Sequence, residues 1–384
     1  MALGRQEAEP ESREPLIDAD GKSILVLNVG SSTLKFGLFP LAARDEPLLS
    51  GALEYSPQAV RQLLQTLEDD SRFASVQAIG HRIVHGGTTM RKPTRVDARV
   101  RRELDGLIPL APDHLPTELR AIDEVAQLHP TLIQVACFDT AFHGDLPAVA
   151  RRLALSRELT ESGVVRYGFH GLSYEYITTT LRERGELPPR TIIAHLGNGA
   201  SVAAIRDGIS IDTSMGMTPA GGLVMSTRSG DLDPGVLLYL SRARGFSLAQ
   251  LDEAVNHRGG LLGISQLSGD VRDLLAASGG DQKAREAIDI FCYQIRKFIG
   301  AYAAALGGLD LLVFTGGIGE HSHTIRGKIC EGLAFLGINI DPARNAAGET
   351  LISTATGAVA VRTMKTQEEA MIARHVRELL AGGL

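Results

Sequence analysis

At 384 residues, with 44% hydrophobic and 22% charged side chains, the chain has ordinary globular composition and more length than one core usually fills, so two domains are expected. A formal net charge of -6 leaves no cationic excess to neutralise a nucleic-acid backbone, whereas a small anionic ligand needs only a few local cations. Cys137, Cys292 and Cys330 lack metal-ligand spacing and read as reduced thiols of a cytosolic protein, and no stretch approaches a membrane span.

Residues 1–22 read as a charged, mobile extension without the apolar centre of a signal peptide. At residues 24–39 (ILVLNVGSSTLKFGLF) an apolar strand passes through a small-residue turn into a second strand. The pattern returns at 191–205 (TIIAHLGNGASVAAI), where Leu196-Gly197-Asn198-Gly199 stands in place of Val29-Gly30-Ser31-Ser32. Small residues at such a turn let backbone N–H groups close on an anion, and two hairpins face to face could hold a polyphosphate between two domains. Between them lies Arg82, framed by Gly80 and Gly86-Gly87, a setting that favours ligand contact over a surface ion pair. Residues 135–138 read as a buried strand ending in the carboxylate of Asp139, a place where both site residues and turn formers occur. His170 sits between Gly168 and Gly171, which permit close backbone approach and favour a ligand role for it.

Residues 211–234 (IDTSMGMTPAGGLVMSTRSGDLDP) hold few large apolar residues and one arginine, Arg228; a solvent loop of this length without a role is uncommon, and the glycine and hydroxyls beside Arg228 suit an anion. Ala284, Ile288, Phe291, Ile295, Phe298 and Tyr302 recur at steps of three and four and predict a helix over 282–306 that Gly307-Gly308 stops. A strand over 309–315 then empties into Gly316-Gly317-Ile318-Gly319-Glu320, a third small-residue turn of the kind beyond which nucleotides bind. A last helix over 366–380 carries Glu368 and Glu369 near its start, where acidic side chains suit the helix dipole. The alternation of strands and helices is that of an α/β protein. No GxxxxGK[ST] loop occurs, so ATP would have to be held without one.

Eight segments occur in one order: NVGSSTLKF, GHRIVHGG, FDTAFH, YGFHG, AHLGNGAS, DTSMGMTP, STRSGDLDP and FTGGIGE. On them the sequence, from Ile24 to Arg374, resembles the acetokinase family, whose superfamily also holds sugar kinases, actin and the heat-shock ATPases. The resemblance implies an α/β fold of two duplicated actin-like (ribonuclease H-like) domains with a nucleotide cleft between them. Residues 23–149 with 368–384 would form one domain, and 150–367 the nucleotide-binding one. It implies reversible, Mg2+-dependent in-line phosphoryl transfer from ATP to acetate, giving ADP and acetyl phosphate, with Mn2+ as a substitute ion. The protein would be a cytoplasmic homodimer whose partners are ATP and a small carboxylate.

Carried over by position, Asn28 and Glu368 would hold Mg2+, and Lys35 would meet the nucleotide phosphates. His195, Leu196, Gly197, Asn198 and Gly199, then Asp270, Val271 and Arg272, then Gly317, Ile318, Gly319, Glu320 and His321 would contact the nucleotide. Arg82, Val84, His114 and Pro219 would take the carboxylate; His170 and Arg228 would steady the moving phosphoryl group, with Asp139 beside the reacting carboxylate. A carboxylate is already ionised at neutral pH, so Asp139 is expected to orient metal-bound water or an arginine more than to remove a proton.

The departures from the family pattern also carry expectations. Asp113, in APDHLP, puts a carboxylate where the family has an apolar wall of the acyl pocket. Burying it unpaired would be expensive, so either it points away, toward an arginine, or the substrate differs. His321 stands for an Asn, Tyr174 for a His and Gly221 for an acidic residue. A propionate or butyrate kinase is the alternative within enzymes. A nucleotide-driven binding protein of the actin or heat-shock type would leave Arg82 and Arg228 without a reason.

Overall fold

The computed structural model describes residues 21–30, 33–42, 44–68 and 73–382. Residues 1–20 of the expected extension, and Ser31 and Ser32 of the first hairpin turn, lie outside the described residues. The two expected hairpins form: β1 (Ser23–Val29) pairs antiparallel with β2 (Thr33–Pro40), and β7 (Arg190–Leu196) with β8 (Ala200–Arg206). Each is the centre of a longer repeat. β2 pairs antiparallel with β3 (Leu49–Glu54), while β1 runs parallel to β4 (Val76–Ile83) and β4 parallel to β6 (Ile133–Phe138). In the second sheet β8 pairs with β9 (Ile209–Thr213), and β7, β10 (Leu311–Thr315) and β11 (Ala360–Thr363) run parallel. The orders β3-β2-β1-β4-β6 and β9-β8-β7-β10-β11 are therefore the same path traced twice, with the short β5 (Thr94–Arg95) added at the edge of the first sheet.

Burial on both faces explains why the central strands read as unbroken apolar runs. In β1, Ile24 and Val26 face one core and Leu25, Leu27 and Val29 another; in β7, Ile193 faces one and Ile192, Ala194 and Leu196 another. The middle core, shared by both sheets, is filled by two helices, Gly171–Glu183 and the C-terminal Glu368–Ala381. His375 Nε2 and Glu175 Oε1, 3.0 Å apart, tie these two helices together. Helices Ala59–Glu68 and Leu115–Leu128 cover the far face of the first sheet, and Gln282–Leu306 covers that of the second. The last of these has the expected bounds. Asp281 caps it by accepting from the Lys283 and Ala284 N–H groups, and Gly307, at φ 72, ends it.

The segment 211–234 is irregular beyond β9, and Met215, Leu223 and Met225, all fully buried, anchor it in the core. Two expectations need correction. The third small-residue turn is instead a short helix, Gly316–His321. Gly316 leaves β10 at φ +76, and a Cβ there would lie 2.7 Å from the Leu196 carbonyl oxygen, so only glycine passes this close to β7. The strand before it starts at Leu311, two residues late, because Gly308 at φ +135 still belongs to the turn.

Candidate active site

Side-chain alternation aims one residue from each of several strand ends into the middle layer. Asn28 shares the face of Ile24 and Val26, His195 that of Ile193, and Asp139 that of Val135 and Cys137. Arg82 follows Gly80, whose missing Cβ would lie 2.5 Å from Ile372 of the C-terminal helix. The two middle helices begin at the same place, one after His170 and one at Glu368. The result is a polar cluster where strand carboxyl ends meet helix N-termini, a setting whose partial positive charge suits phosphate.

Arg82 is the hub. Its Nη2 donates to Asp139 Oδ2 at 2.5 Å, its Nε lies 4.0 Å from Glu368 Oε2, and its Nη1 lies 3.7 Å from Glu118 Oε1. Burial raises the Asp139 carboxyl above the ordinary range, with Arg82 pulling the other way and Glu368 reinforcing the rise. Asn28 Nδ2 donates to Glu368 Oε2 (3.2 Å) and Glu369 Oε1 (2.8 Å), which fixes the start of the C-terminal helix against β1. Lys35, opposite Asn28 in the hairpin, is exposed, and its charge reaches His195.

The second half of the cluster is built on imidazoles. His170 takes the left-handed backbone conformation, φ 58, as it hands over to the Gly171–Glu183 helix. The helix starts hard against Asp139: Gly171 N–H donates to the Asp139 carbonyl at 2.8 Å, and a Cβ on Gly171 would come within 2.1 Å of that oxygen. The His170 ring stacks on His195 with centroids 4.3 Å apart, and His195 Nδ1 lies 2.8 Å from Ser173 Oγ. Burial, then the charges of His195, Arg82 and Arg228, hold His170 well below the ordinary imidazole range, so it is neutral. Its Nδ1 meets Ser201 Oγ at 2.9 Å, and Ser201 Oγ meets Tyr174 Oη at 2.5 Å. With Tyr174 donating to Ser201 and Ser201 to Nδ1, one of the two directions this chain allows, Nε2 would carry the proton. That Nε2 and Arg228 Nη2 flank Gly199, 3.3 and 3.5 Å from where its Cβ would stand, so both donors border the second hairpin turn. Arg228 is steadied by Nη1 donating to the Pro219 carbonyl at 2.8 Å.

His114 precedes the Leu115–Leu128 helix; burial, with Arg82 and Arg228 nearby, pushes it down to about 4. Val84 is buried and donates its N–H to Glu118 Oε2 at 2.9 Å. Asp113 is not an unpaired buried carboxylate. Its side chain is 47% exposed, its Oδ2 lies 3.8 Å from His257 Nε2, and it raises the affinity of Arg228 for its proton, so it points outward as one of its two expectations held.

The Gly317, Ile318, Gly319, Glu320 and His321 segment packs against β7 near His195, Leu196, Gly197 and Asn198. Glu320 Oε1 accepts from the Gly316 N–H (3.1 Å) and the Thr366 N–H (3.4 Å), while His321 is exposed. Asp270, Val271 and Arg272 open the helix Val271–Ala277. There Asp270 accepts from the Arg272 N–H at 2.8 Å and pairs with its guanidinium, Val271 is buried and Arg272 projects into solvent. No hydrogen bond or ion pair among the described residues links these three to the Arg82 cluster.

Two buried charged residues that pack against the candidate site have no place in the sequence reading. Glu118 is the clearest, and it had a signal: it interrupts the apolar stripe Leu115, Leu119, Ile122 and Val125, where a charge has no place without a partner. Arg326 is another. It is fully buried and donates to the Gly319 and Glu320 carbonyls at 2.9 and 2.8 Å and to Asn345 Oδ1 at 2.8 Å, clamping the end of the 316–321 helix.

The acetokinase family matches residues 52–374. The chain belongs to the acetokinase family. It is 43% identical to an acetate kinase of Rhodopseudomonas palustris over 94% of this chain and 99% of the relative. The crystal structure of Porphyromonas gingivalis acetate kinase superposes with a TM-score of 0.83 at 38% identity, covering 94% of this chain and 100% of that one. A propionate kinase from Francisella tularensis gives 0.85 at 36% identity, covering 92% and 98%. The repeated sheets around a shared helical layer are thus the two-domain, actin-like α/β fold of that family, and the resemblance read from eight short segments extends across nearly the whole chain.

Proposed function

We propose that this chain transfers the terminal phosphoryl group of ATP reversibly to a short carboxylate, acetate first, giving ADP and acetyl phosphate. The convergence of Arg82, Arg228 and neutral His170 beside the Gly197–Gly199 turn carries the reading, because joining two anions requires donors that cancel charge rather than a base. Arg82 holds the carboxylate beside Val84, His114 and Pro219. Arg228 Nη2 and His170 Nε2 donate to the equatorial oxygens of the moving group, and Asp139 keeps the Arg82 fork in plane. The turn 197–199 and the 316–321 helix would hold the nucleotide's phosphates through backbone N–H groups, and Lys35, Asp270, Val271 and Arg272 would contact the nucleotide as the family pattern implies.

Mg2+ suits the donor set. The carboxylates gathered here are hard oxygen ligands, Asp139 Oδ1 is buried without a hydrogen-bond partner, and Mg2+ is ordinarily held by one or two carboxylates together with substrate phosphates. Glu368, steadied by Asn28, would hold it, and the ion would offset charge on the transferred group. We assign residues 23–149 with 368–384 to one domain and 150–367 to the other. The packing of the C-terminal helix on β1, β2 and β4 favours this division. Helix Pro234–Arg244 buries none of its residues and leaves Val236, Leu238 and Tyr239 exposed beside Leu232 and Leu248, which favours a homodimer through this face. No helix among the described residues is long and apolar enough to cross a membrane, and three buried free cysteines fit the reducing cytoplasm.

A second reading, propionate or butyrate as substrate, draws support from the likeness to a propionate kinase at 36% identity. Acyl phosphate trapped with hydroxylamine across acetate, propionate and butyrate separates the two. The first reading predicts the highest kcat/KM on acetate; higher kcat/KM on a longer acid replaces it by the second, and carboxylate-independent ATP hydrolysis overturns both.

A further inference from the structure

We propose that Glu118 is a positioning residue of the carboxylate site: from the Leu115–Leu128 helix it holds Arg82 and Val84 in place and sets how strongly Arg82 attracts an anion. The inference rests on the carboxylate-kinase reading above. Its geometry is specific to this side chain. The Glu118 side chain is wholly shielded from solvent, with Oε2 accepting the Val84 N–H at 2.9 Å and Oε1 3.7 Å from Arg82 Nη1. Val84 and Arg82 are two residues apart on one strand end, so a single carboxyl group braces both residues expected to touch the substrate. Glu118 Oε1 and Arg82 Nε have no hydrogen-bond partner, so the carboxyl packs beside Arg82 without occupying its donors, which stay available to an incoming carboxylate.

The charge balance gives this placement its consequence. The groups facing Glu118 are Arg82 from β4 and Asp139 from the end of β6, with Glu368 of the C-terminal helix beyond Arg82 and His114 one turn earlier on its own helix. Asp139 already matches Arg82, so a further negative charge would over-neutralise the cation that must hold an anionic substrate. Burial is the main influence on the Glu118 carboxyl and pushes it up to about 8 against the pull of Arg82. At neutral pH the group is therefore protonated and uncharged. As pH rises through that value it ionises and opposes the substrate. A buried like charge at this range weakens binding by about tenfold or more.

The test compares the wild type with Glu118→Gln, which keeps an acceptor oxygen for the Val84 N–H but cannot ionise. Acetyl hydroxamate formation is followed from about pH 6 to about pH 9.5. In the wild type, KM for acetate rises about tenfold across the alkaline limb while KM for ATP does not. In Glu118→Gln the acetate limb flattens and neutral kcat stays within about threefold. Glu118→Leu, which removes the acceptor, raises KM for acetate at every pH. An alkaline rise in KM that persists unchanged in Glu118→Gln overturns the proposal, as does a Glu118→Leu enzyme with ordinary KM. If Glu118→Gln does not fold, acetate protection against thermal unfolding of the wild type decides: protection that does not weaken between about pH 7 and about pH 9 overturns it. A wild type that forms no acyl phosphate refutes the functional reading itself, a result distinct from any of these.

Discussion

Replacing Arg82 by methionine keeps an unbranched apolar stem and removes the charge, leaving Asp139, 1% exposed, as a buried carboxylate without a cation. Breaking a buried ion pair from one side costs about 3–5 kcal/mol, more than the pair itself contributes, because the remaining charge is stranded. The pH dependence follows in sign. In the wild type, burial already raises the Asp139 carboxyl above its unfolded value, and Arg82 is the main influence lowering it. Without Arg82 it rises further. A carboxyl raised in the fold lets stability fall as pH climbs from the unfolded pKa through the folded one, and the loss is complete only above the latter. Urea unfolding at about pH 5 and about pH 8 reads this directly. Arg82→Met should lose about 3–5 kcal/mol at the higher pH and distinctly less at the lower, where Asp139 is protonated. The double variant Arg82→Met/Asp139→Asn should recover most of the stability and none of the activity. An equal loss at both pH values, unrelieved by Asp139→Asn, would refute the reasoning.

Other perturbations probe the rest of the cluster. Arg228→Ala should lower kcat by about 10³ or more with little change in nucleotide affinity measured by calorimetry, if its Nη2, beside the Gly199 turn, has the proposed role of donating to the moving group; near-normal turnover would remove that role. Tyr174→Phe breaks the hydroxyl relay to His170 and should reduce kcat about tenfold while leaving KM for both substrates near wild type. Gly171→Ala forces a methyl to within 2.1 Å of the Asp139 carbonyl and should destabilise the fold by a few kcal/mol, about 2–4, in thermal unfolding. Arg326→Leu orphans the Gly319 and Glu320 carbonyls and should raise KM for ATP without altering KM for the carboxylate.

What the sequence made legible was whatever repeats or alternates. The hairpins, the helix ending at Gly307 and the strand ending at Asp139 announce themselves through period, turn residues and caps. The doubling of the whole strand order did not, because β4 and β10 carry different side chains and share only a topology. The residues singled out for their glycine frames, Arg82, His170 and Arg228, lie close enough to influence one another's charge. Asp270 and Arg272 came only from resemblance, and the structure shows them bonding each other. Arg326 sits in a helical segment whose pattern gives no sign of its burial, whereas Glu118 did leave a mark, a charge inside the apolar stripe of its helix, although its partners Arg82 and Val84 are set only by tertiary packing.

The central claim is that strand ends and two helix starts meet so that paired guanidiniums and a neutral imidazole receive a phosphoryl group in flight. A crystal structure with ADP, acetate and a planar metal-fluoride mimic of that group tests it most directly. The account predicts the mimic between Arg82 and Arg228, with His170 Nε2 and Arg228 Nη2 in hydrogen-bond contact with its equatorial atoms and the acetate on Arg82. A mimic bound away from both guanidiniums, or one that His170 does not touch, would contradict it.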